Sequence, residues 1–309
     1  MVEEELSRFA PERDTLLTVG VFDGVHLGHK YLISRLLEEA GQRNLLSGVV
    51  TFRQHPEELL SPRTRLPFLT DIEERIGLLK NEGVDFIITL SFTAELAQLS
   101  ARQFVSLLQK YLRMRGLVIG SDFALGKGRE GDTNTLQKLG QDMNFSVTVV
   151  PPYMINDEVV SSTTIRKALA GGDMRKVQEL VGRPFSLQGK VVTGAGRGVG
   201  LGFPTANLDI SSEQARPPDG VYASWAHIDG KTYQSMVNIG QCPTFGGGES
   251  TVEAYLVDYQ GDLYGRELQI DIVARLRDEK KFDTVEELKE QVAEDVRQGR
   301  TILNSMGSN

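Results

Sequence analysis

The sequence predicts two structural classes in succession: a doubly wound parallel α/β sheet, then a small antiparallel β-barrel with a final helix. Up to about residue 180, strand and helix signals alternate, which is typical of parallel strands joined by helical crossovers. After Gly182-Arg183-Pro184 the pattern changes to short strands punctuated by glycine, which is typical of a barrel. We therefore predict one domain at 1–183 and a second at 184–309.

The individual elements follow from local patterns. Apolar and β-branched runs predict strands in the first half at 16–22, 46–52, 84–90, 117–120 and 145–150. Helical spacing predicts helices from about 26, over 70–83, 100–112, 133–141, 161–170 and 173–181, and from 285 to about 297. Capping boxes are expected at Thr70/Glu73, Ser100/Gln103 and Thr284/Glu287. We expect the last helix to pack on the barrel.

Composition and charge exclude several classes of protein. The formal net charge of −8 argues against non-specific nucleic-acid binding, because such binding depends on basic patches. The single cysteine, Cys242, rules out an intrachain disulfide. The acidic start does not resemble a signal peptide, and no apolar run approaches the length of a membrane span. We expect a cytoplasmic protein without a membrane or nucleic-acid partner, and these features leave the oligomeric state open.

The stretch 20–29 (GVFDGVHLGH) is the most informative one. A strand end and a tight turn lead into a helix that should begin near His26, so His26 and His29 would share one face of its first turn. Gly28 between them leaves room for a ligand near the backbone. Unpaired N–H groups, the positive dipole end and two imidazole donors suit an anion such as phosphate. Ordinary surface histidines and a zinc site, to which only His55, His227 and Cys242 could add N or S ligands, remain alternatives.

Three further segments follow predicted strand ends, where ligands of doubly wound sheets bind. Segment 51–56 (TFRQHP) should leave the second strand as a defined loop, because the residue before Pro56 is restricted to extended backbone. Segment 120–131 (GSDFALGKGREG) combines four glycines with two cations and suits phosphate, although a solvated turn has the same composition. Segment 161–166 (SSTTIR) opens a helix that its hydroxyls can cap, and Arg166 adds a cation one turn in.

Three segments of the second half carry groups suited to a nucleotide. Glycines at 194, 196, 198, 200 and 202 form either a flap over phosphates or a flexible hairpin, without a Walker lysine after them. Thr205 and Asn207 in segment 203–207 (FPTAN) present two hard oxygens on one face of a strand, which suits Mg²⁺. In segment 251–256 (TVEAYL) alternation places Glu253 on the polar face, where it either accepts a proton in kinase chemistry or is simply solvated.

These segments resemble those of a known family. GVFDGVHLGH, TFRQHP, GSDFALGKGREG and SSTTIR are similar to the FMN adenylyltransferase part of the bacterial bifunctional riboflavin kinase/FAD synthetases, which is a Rossmann-like HxGH nucleotidylyltransferase domain. LGFPTAN, DGVY, VNIGQCPTF and TVEAYL are similar to the riboflavin kinase part, and the resemblance covers about 14–300. Leu125 stands where phenylalanine is usual, and Val199 stands where many members have arginine, which leaves open whether Arg197 replaces it.

The resemblance implies two reactions. The second domain would convert riboflavin and ATP to FMN and ADP with Mg²⁺, and the first would convert FMN and ATP to FAD and pyrophosphate without a covalent enzyme intermediate. Riboflavin, FMN and ATP would thus be its small-molecule partners. Two other functions stay open: an adenylyltransferase for another acceptor, which leaves the FPTAN half unexplained, and a flavin-binding regulator without catalysis, against which the intact set of candidate catalytic residues counts.

The resemblance also implies roles for individual residues. His26 and His29 would be catalytic in adenylyl transfer, and Glu253 would be the base of the kinase. The other adenylyltransferase positions are Gly20, Phe22, Asp23, Gly24, Asp122, Arg129, Ser162, Thr163 and Arg166 for ATP, and His55 and Pro56 for the flavin. The other kinase positions are Gly194, Gly196, Gly198, Thr205 and Asn207 for ATP, with the metal on Thr205 and Asn207, and Asn238, Gly240, Phe245 and Glu253 for the flavin.

Overall fold

The computed structural model describes residues 2–55, 59, 66–194, 202–241 and 250–306. They form two compact units, Met1–Ser162 and Thr163–Asn309. The described helices are α1 (Val2–Ser7), α2 (Leu27–Gln42), α3 (Ile72–Asn81), α4 (Ala94–Gln98), α5 (Ala101–Leu112), α6 (Thr133–Met143), α7 (Ser162–Ala170), α8 (Met174–Val181) and α9 (Val285–Met306). Helix α7 begins at the last residue of the first unit.

The described strands also follow the chain from one unit to the other. Those of the first unit are β1 (Thr15–Val19), β2 (Leu46–Phe52), β3 (Phe86–Leu90), β4 (Met114–Gly120), β5 (Ala124–Leu125), β6 (Gly131–Asp132), β7 (Ser146–Val150), β8 (Met154–Ile155) and β9 (Glu158–Val159). Those of the second unit are β10 (Phe185–Val192), β11 (Ala206–Asp209), β12 (Gly220–Ile228), β13 (Lys231–Gln241), β14 (Ser250–Leu256) and β15 (Glu267–Arg277).

The main sheet of the first unit has the order β3-β2-β1-β4-β7, and every neighbouring pair is parallel. Both of its faces are covered, because neighbouring residues of β1 enter different cores. Leu16 packs with Ile33 and Leu36 of α2, whereas Leu17 packs in the cluster that contains Phe104 of α5. This confirms the doubly wound parallel sheet, in which strands buried on both faces read as continuous apolar runs.

The end of strand β1 and the presence of helix α1 differ from the prediction. Strand β1 ends at Val19 rather than Phe22, because the following loop needs left-handed backbone at Phe22 (φ 54°) and Val25 (φ 36°), which a strand does not allow. Helix α1, which the sequence analysis did not predict, is held by its buried Val2 and Leu6. Short helices gain their stability from such packing, and a local pattern over six residues is too short to reveal it.

The capping boxes have mixed outcomes. Ser100 caps α5 reciprocally with Gln103, as predicted. The expected box at Thr70 is wrong, because the N-cap of α3 is Asp71, whose carboxylate accepts from the backbone N–H of Glu74. The Thr70 hydroxyl instead accepts a hydrogen bond from the backbone N–H of Gly24, which is distant in sequence.

The second unit contains a closed barrel with the strand order β10-β11-β14-β13-β12-β15, and its neighbouring strands are antiparallel. The predicted barrel is therefore confirmed. Helix α9 packs against β12, β13 and β15, as expected, but it continues to Met306 rather than ending near Arg297. Buried Gly299 and Leu303 in its second half explain the extra length, because they lie against the barrel.

An ion pair with a buried carboxylate joins this helix to the barrel. The guanidinium of Arg277 on β15 donates from Nε and Nη2 to both carboxylate oxygens of Asp295 on α9, at 2.8 to 3.1 Å. At the start of α9 the Thr284 hydroxyl accepts from the N–H of Glu287, but the Glu287 carboxylate accepts from the N–H of Asp283 instead of completing a box. Among the described residues, no helix has both the length and the apolar character needed to cross a bilayer.

Candidate active sites

The two histidines of GVFDGVHLGH meet at the start of α2, as the sequence analysis expected. His26 is the N-cap, and its Nδ1 accepts a hydrogen bond from the backbone N–H of His29 at 3.3 Å. The two imidazole rings stack with their centroids 3.6 Å apart, and the Phe22 ring contacts His29 edge-on at 5.1 Å. The side chains thus form one rigid cluster at a helix N-terminus, where the backbone favours anions.

The hydrogen bonds and burial of this cluster define its protonation. An accepting Nδ1 leaves the ring proton of His26 on Nε2, which is therefore a donor. Burial lowers the pKa of His29 well below its ordinary value of 6.5, and the electrostatic influence of His26 and Arg75 beside it lowers it further. The Nδ1 of His29 is enclosed and has no hydrogen-bond partner within the described part of the chain. A neutral imidazole at position 29 can thus donate a hydrogen bond to an anion without carrying a charge of its own.

The packing of the protein itself explains why glycine occupies position 28. A Cβ at this position would lie 2.9 Å from the carbonyl oxygen of Val160 and 3.1 Å from the ring of His26. Such contacts are shorter than real Cβ atoms tolerate, so the glycine allows the chain to pass beside the imidazole. The sequence also predicts that Gly28 leaves room for a ligand near the backbone, and that remains a prediction.

The loop before α2 is anchored by groups distant in sequence. The Asp23 carboxylate, only 2% exposed, accepts from the backbone N–H of Leu69 at 2.9 Å and of Thr70 at 3.2 Å. The Gly24 N–H donates in return to the Thr70 hydroxyl at 3.1 Å, and Gly24 has φ +82°. The Asp23 carboxylate therefore holds this loop in place, and its predicted contact with ATP remains a prediction.

Of the other predicted adenylyltransferase residues, Ser162 contacts this loop, and the rest of those that the structure describes have neighbours of their own. The Ser162 hydroxyl donates to the Asp23 carbonyl at 2.9 Å, so the start of SSTTIR touches GVFDG. Segment 120–131 is an ordered hairpin of β5 and β6 with a 3-10 turn, and the Arg129 guanidinium donates to the Asp122 carbonyl at 3.1 Å. The ring of His55 lies 5.9 Å from that of Phe68. The remaining positions are placed as follows: Gly20 lies against the Phe22 ring, Thr163 and Arg166 lie on the first turns of α7, and Pro56 is outside the described residues.

Arg75 on α3 is the residue that sequence reasoning missed. It is 1% exposed, and its guanidinium donates to the carbonyls of Val21 and Phe52. A signal was available, because Arg75 follows Ile72 by three residues and precedes Leu79 by four, which places a cation on the apolar face of the helix.

The predicted kinase residues come together on one face of the barrel. Asn207 of β11 is directly opposite Glu253 of β14, and Glu253 is directly opposite Asn238 of β13. Opposed residues in neighbouring strands point to the same face about 5 Å apart, so the three side chains form a row, which we call the 207–253–238 row. The Thr205 hydroxyl donates to the Glu253 carboxylate at 3.3 Å and extends the row.

The surroundings of this row include space for a ligand. A cavity of about 180 Å³ is lined by residues that include Pro204, Thr205, Tyr259 and Tyr264. Gly194 contacts the Asn207 amide so closely that a Cβ would overlap it, and the Glu279 carboxylate covers Gly240. Gly196, Gly198 and Phe245 lie outside the described residues, as do Arg197, Val199 and Cys242.

The donors of the row suit a hard cation that also binds phosphate. Thr205, Asn207 and Glu253 offer hydroxyl, amide and carboxylate oxygens, which are the ligand types of Mg²⁺. Within the described residues, no cluster of three or more His, Cys, Asp or Glu side chains could hold a metal on its own. The predicted zinc alternative therefore has no support there, whereas a Mg²⁺ ion that keeps nucleotide oxygens as ligands fits the donors present.

The fold and the two clusters define a class of protein in which a doubly wound parallel sheet with paired histidines at a helix N-terminus is followed in the chain by a closed barrel with a row of polar side chains. The family model for FAD synthetase matches residues 9–164, and the model for riboflavin kinase matches residues 181–303. This chain belongs to the family of bifunctional riboflavin kinases/FMN adenylyltransferases. It phosphorylates riboflavin to FMN and adenylylates FMN to FAD, with the FAD synthetase part N-terminal and the flavokinase part C-terminal.

Several relatives cover the chain almost completely. The bifunctional riboflavin kinase/FMN adenylyltransferase of Escherichia coli K12 is 38% identical over 288 residues, which are 93% of this chain and 92% of that protein. The Bacillus subtilis protein of the same name is 34% identical over 286 residues, 91% of this chain and 90% of its own. These matches span both halves of the chain, so they favour the bifunctional enzyme over an adenylyltransferase without the kinase and over a regulator without enzymatic activity.

A solved structure supports the fold over the same length. A crystal structure described as a macrolide-efflux protein from Streptococcus pneumoniae is 31% identical, covers 96% of each chain and has a TM-score of 0.88. Efflux is what the description of that protein states, and its likeness to this chain is one of fold.

Proposed function

We propose that the two activities use separate sites, one around His26 and His29 and the other around the 207–253–238 row. The observation that carries this assignment is that each compact unit contains one of these clusters of polar groups. The reactions follow one another, since FMN is the product of the first and the acceptor of the second. Release of FMN and its rebinding at the second site is the simplest connection between them.

In the adenylyltransferase site, the phosphate of FMN attacks the α-phosphorus of ATP. A new bond forms between the FMN phosphate oxygen and that phosphorus while the bond to the β-phosphate oxygen breaks, and pyrophosphate leaves. Nε2 of His26 and the ring of His29 donate hydrogen bonds to phosphate oxygens as their negative charge grows. Arg129 and Arg166 add fixed positive charge for the leaving group.

The other first-domain residues hold the substrates. Residues of three segments contact ATP, namely Gly20, Phe22, Asp23 and Gly24, then Asp122, and then Ser162 and Thr163. His55 and Pro56 border the flavin. The enclosed and unpartnered Nδ1 of His29 supports a ligand at this place, because buried polar atoms are seldom left unsatisfied.

In the kinase site, Glu253 accepts the proton of the ribityl 5′-hydroxyl, whose oxygen attacks the γ-phosphorus of ATP while ADP leaves. Thr205 and Asn207 hold Mg²⁺, which offsets charge on the phosphates when it is bound. Glycines 194, 196 and 198 contact the phosphates, while Asn238, Gly240 and Phe245 contact the flavin. The Thr205 hydroxyl, 3.3 Å from Glu253, supports a shared site for base and metal.

The experiment that tests this division is a double dissociation. Glu253→Ala should abolish FMN formation from riboflavin while FAD formation from supplied FMN continues, and His29→Ala should do the reverse. Glu267→Ala, an exposed glutamate on barrel strand β15, is the matched control and should change neither activity. Chromatography of the products over time, with and without Mg²⁺, is the measurement. If either variant loses both activities while it remains folded, the assignment of separate sites is wrong.

The domain limits 1–183 and 184–309 are also part of the proposal. The chain reverses after α8 at Gly182, which has left-handed backbone (φ 78°), and Arg183-Pro184 follow. Helix α8 packs against β10 and β15, so the limits must be tested with and without this helix. Comparison of the fragments 163–309 and 184–309 tests this: kinase activity in both supports the limits, and activity in the longer one alone moves them. A cytoplasmic location and the absence of a nucleic-acid partner are supported by the net charge of −8 and the single cysteine.

A further inference from the structure

A buried arginine joins the ends of two strands behind the adenylyltransferase site. Arg75 of α3 is 1% exposed, and Nη1 of its guanidinium donates to the carbonyl of Val21 at 3.1 Å and to that of Phe52 at 2.9 Å. Val21 belongs to the loop that leads from β1 to His26, and Phe52 is the last residue of β2, so one side chain connects the segments GVFDG and TFRQHP. The Thr51 hydroxyl donates to the same Val21 carbonyl at 2.9 Å.

The guanidinium is held by more than these two hydrogen bonds. Its central carbon lies 4.7 Å from the centroid of the Phe68 ring, which is the distance of a cation–π contact. The carboxylates of Asp23 and Asp71 favour its charged form, while burial acts in the opposite direction and lowers its pKa. An arginine keeps its proton under such conditions because its ordinary pKa is so high. The protein thus maintains a full positive charge in its interior beside the active-site loop.

Burying a charge costs free energy, and two features indicate that Arg75 does more than fill space in the core. Its Nε is enclosed and has no hydrogen-bond partner in the part of the chain that the structure describes. An aliphatic side chain of similar size would fill the same space without desolvating a charge, and such replacements are often neutral or stabilising. The hydrogen bonds of the guanidinium are instead directed at the carbonyl of Val21, in the loop that leads to His26 and His29, and at that of Phe52, where β2 ends.

We propose that Arg75 is a positioning residue for adenylyl transfer, because its guanidinium fixes the carbonyl of Val21 and thereby the GVFDG loop that leads to His26 and His29. The inference rests on the proposed role of His26 and His29. It assigns Arg75 no contact with substrate. Its effect reaches the reaction through the loop geometry at Val21 and through the electrostatic influence of its charge on His29.

The electrostatic part follows from the groups around His29. His26 stacks on it from the N-cap, Phe22 packs against its edge, and Arg75 of α3 acts on it by charge. Positive charge near an imidazole opposes its protonation, so Arg75 and burial together lower the pKa of His29. Removal of the Arg75 charge should therefore raise the pKa of His29, whereas a lysine in its place should leave it low.

The test compares two variants. R75M removes the charge, whereas R75K keeps the charge but lacks the planar guanidinium group. R75M should reduce kcat for FMN adenylylation by about 100-fold, since small misplacements of reacting groups have effects of this size. R75K should fall by only about 10-fold, because its charge remains while the geometry is lost. Neither variant should change KM for ATP by more than about threefold or the riboflavin kinase activity of the same chain.

Two controls separate positioning from loss of stability. Leu79→Ala removes a fully buried apolar side chain from the same helix, which lies in the core cluster that also contains Phe22 and Val25 but makes no hydrogen bond to either loop. It therefore destabilises the first unit, and its loss of kcat should be much smaller than that of R75M. NMR titration of the histidine rings gives a readout independent of turnover, and only four histidines contribute signals. The His29 signal, identified by its absence in H29A, should titrate at higher pH in R75M and at the wild-type pH in R75K.

The outcomes are distinct. Any one of three results overturns the proposal. The first is a wild-type kcat in R75M, the second is an equal loss of kcat in Leu79→Ala at matched stability, and the third is an unchanged His29 titration in R75M. If R75M does not fold, R75K decides by its kcat and titration alone. If H29A keeps FMN adenylylation, the proposed role of the histidines fails, whatever the Arg75 variants show. Loss of activity in H29A together with full activity in R75M and R75K refutes only the role of Arg75.

Discussion

Thr70 gives the sharpest test of how the GVFDG loop is held. Its hydroxyl is the acceptor for the buried N–H of Gly24 at 3.1 Å, and the two residues are 46 positions apart. Thr70→Val keeps the shape of the side chain but removes the acceptor. Thr70→Ser keeps the acceptor and removes only a methyl group, so it is the matched control.

The expected magnitude follows from the burial of the Gly24 N–H. A buried donor left without an acceptor costs about 1–3 kcal/mol, whereas the methyl group lost in the serine variant is worth about 0.8 kcal/mol. For a unit of this size each kcal/mol lowers Tm by about 2–4 °C. The valine variant should therefore melt as much as about 10 °C lower, and the serine variant by only a few degrees. Thr70 is 2% exposed, so water cannot replace the lost acceptor without a local opening.

The assay combines thermal unfolding, amide exchange at Gly24 and the two enzymatic activities. In Thr70→Val the Gly24 amide should lose its protection and FMN adenylylation should decrease, while riboflavin phosphorylation is unchanged. Thr70→Ser should keep both the protection and the activity. A valine variant as stable as the serine variant, with the Gly24 amide still protected, would refute the reasoning that this hydrogen bond holds the loop.

Three further outcomes are expected. Asp295→Ala removes the hydrogen bonds of a buried carboxylate to the partly exposed Arg277 guanidinium and should reduce the free energy of unfolding of the barrel by about 1.5–3 kcal/mol in urea; a loss below about 0.5 kcal/mol contradicts this. NMR should show Glu294 titrating at about 2, because its hydrogen bond to Arg297 lowers its pKa from 4.5, so its stabilisation is present above about pH 4.5 and is lost as the pH falls through about 2. Gly28→Ala should lower FMN adenylylation at least about tenfold, since its methyl group would displace the adjacent imidazole; unchanged activity contradicts this.

Much of the fold could be predicted because it is encoded locally. Strand β2 (Leu46–Phe52) has the predicted limits, and α5 has its predicted capping box at Ser100. The alternation of 251–256 correctly placed Glu253 on the less buried face of β14. These features depend on side-chain periodicity and on contacts within three or four residues, which a sequence displays directly.

The candidate sites were predictable only as sets of residues. GVFDGVHLGH indicated that His26 and His29 would be neighbours, because both lie on one helical turn. That Asn207, Glu253 and Asn238 form one row depends on which strands are adjacent and in which register, and no local pattern contains that information.

The sequence by itself determined the two classes of fold, the order of their elements and the residue types available for chemistry, because periodicity, capping and turn residues act over short distances. Only the tertiary structure decided that Thr70 serves Gly24 instead of capping α3, and that a cation at position 75 lies buried behind the histidines. The physical reason is that a hydrogen bond or a buried charge is stabilised by whatever group folding brings next to it. That neighbour comes from a distant part of the chain.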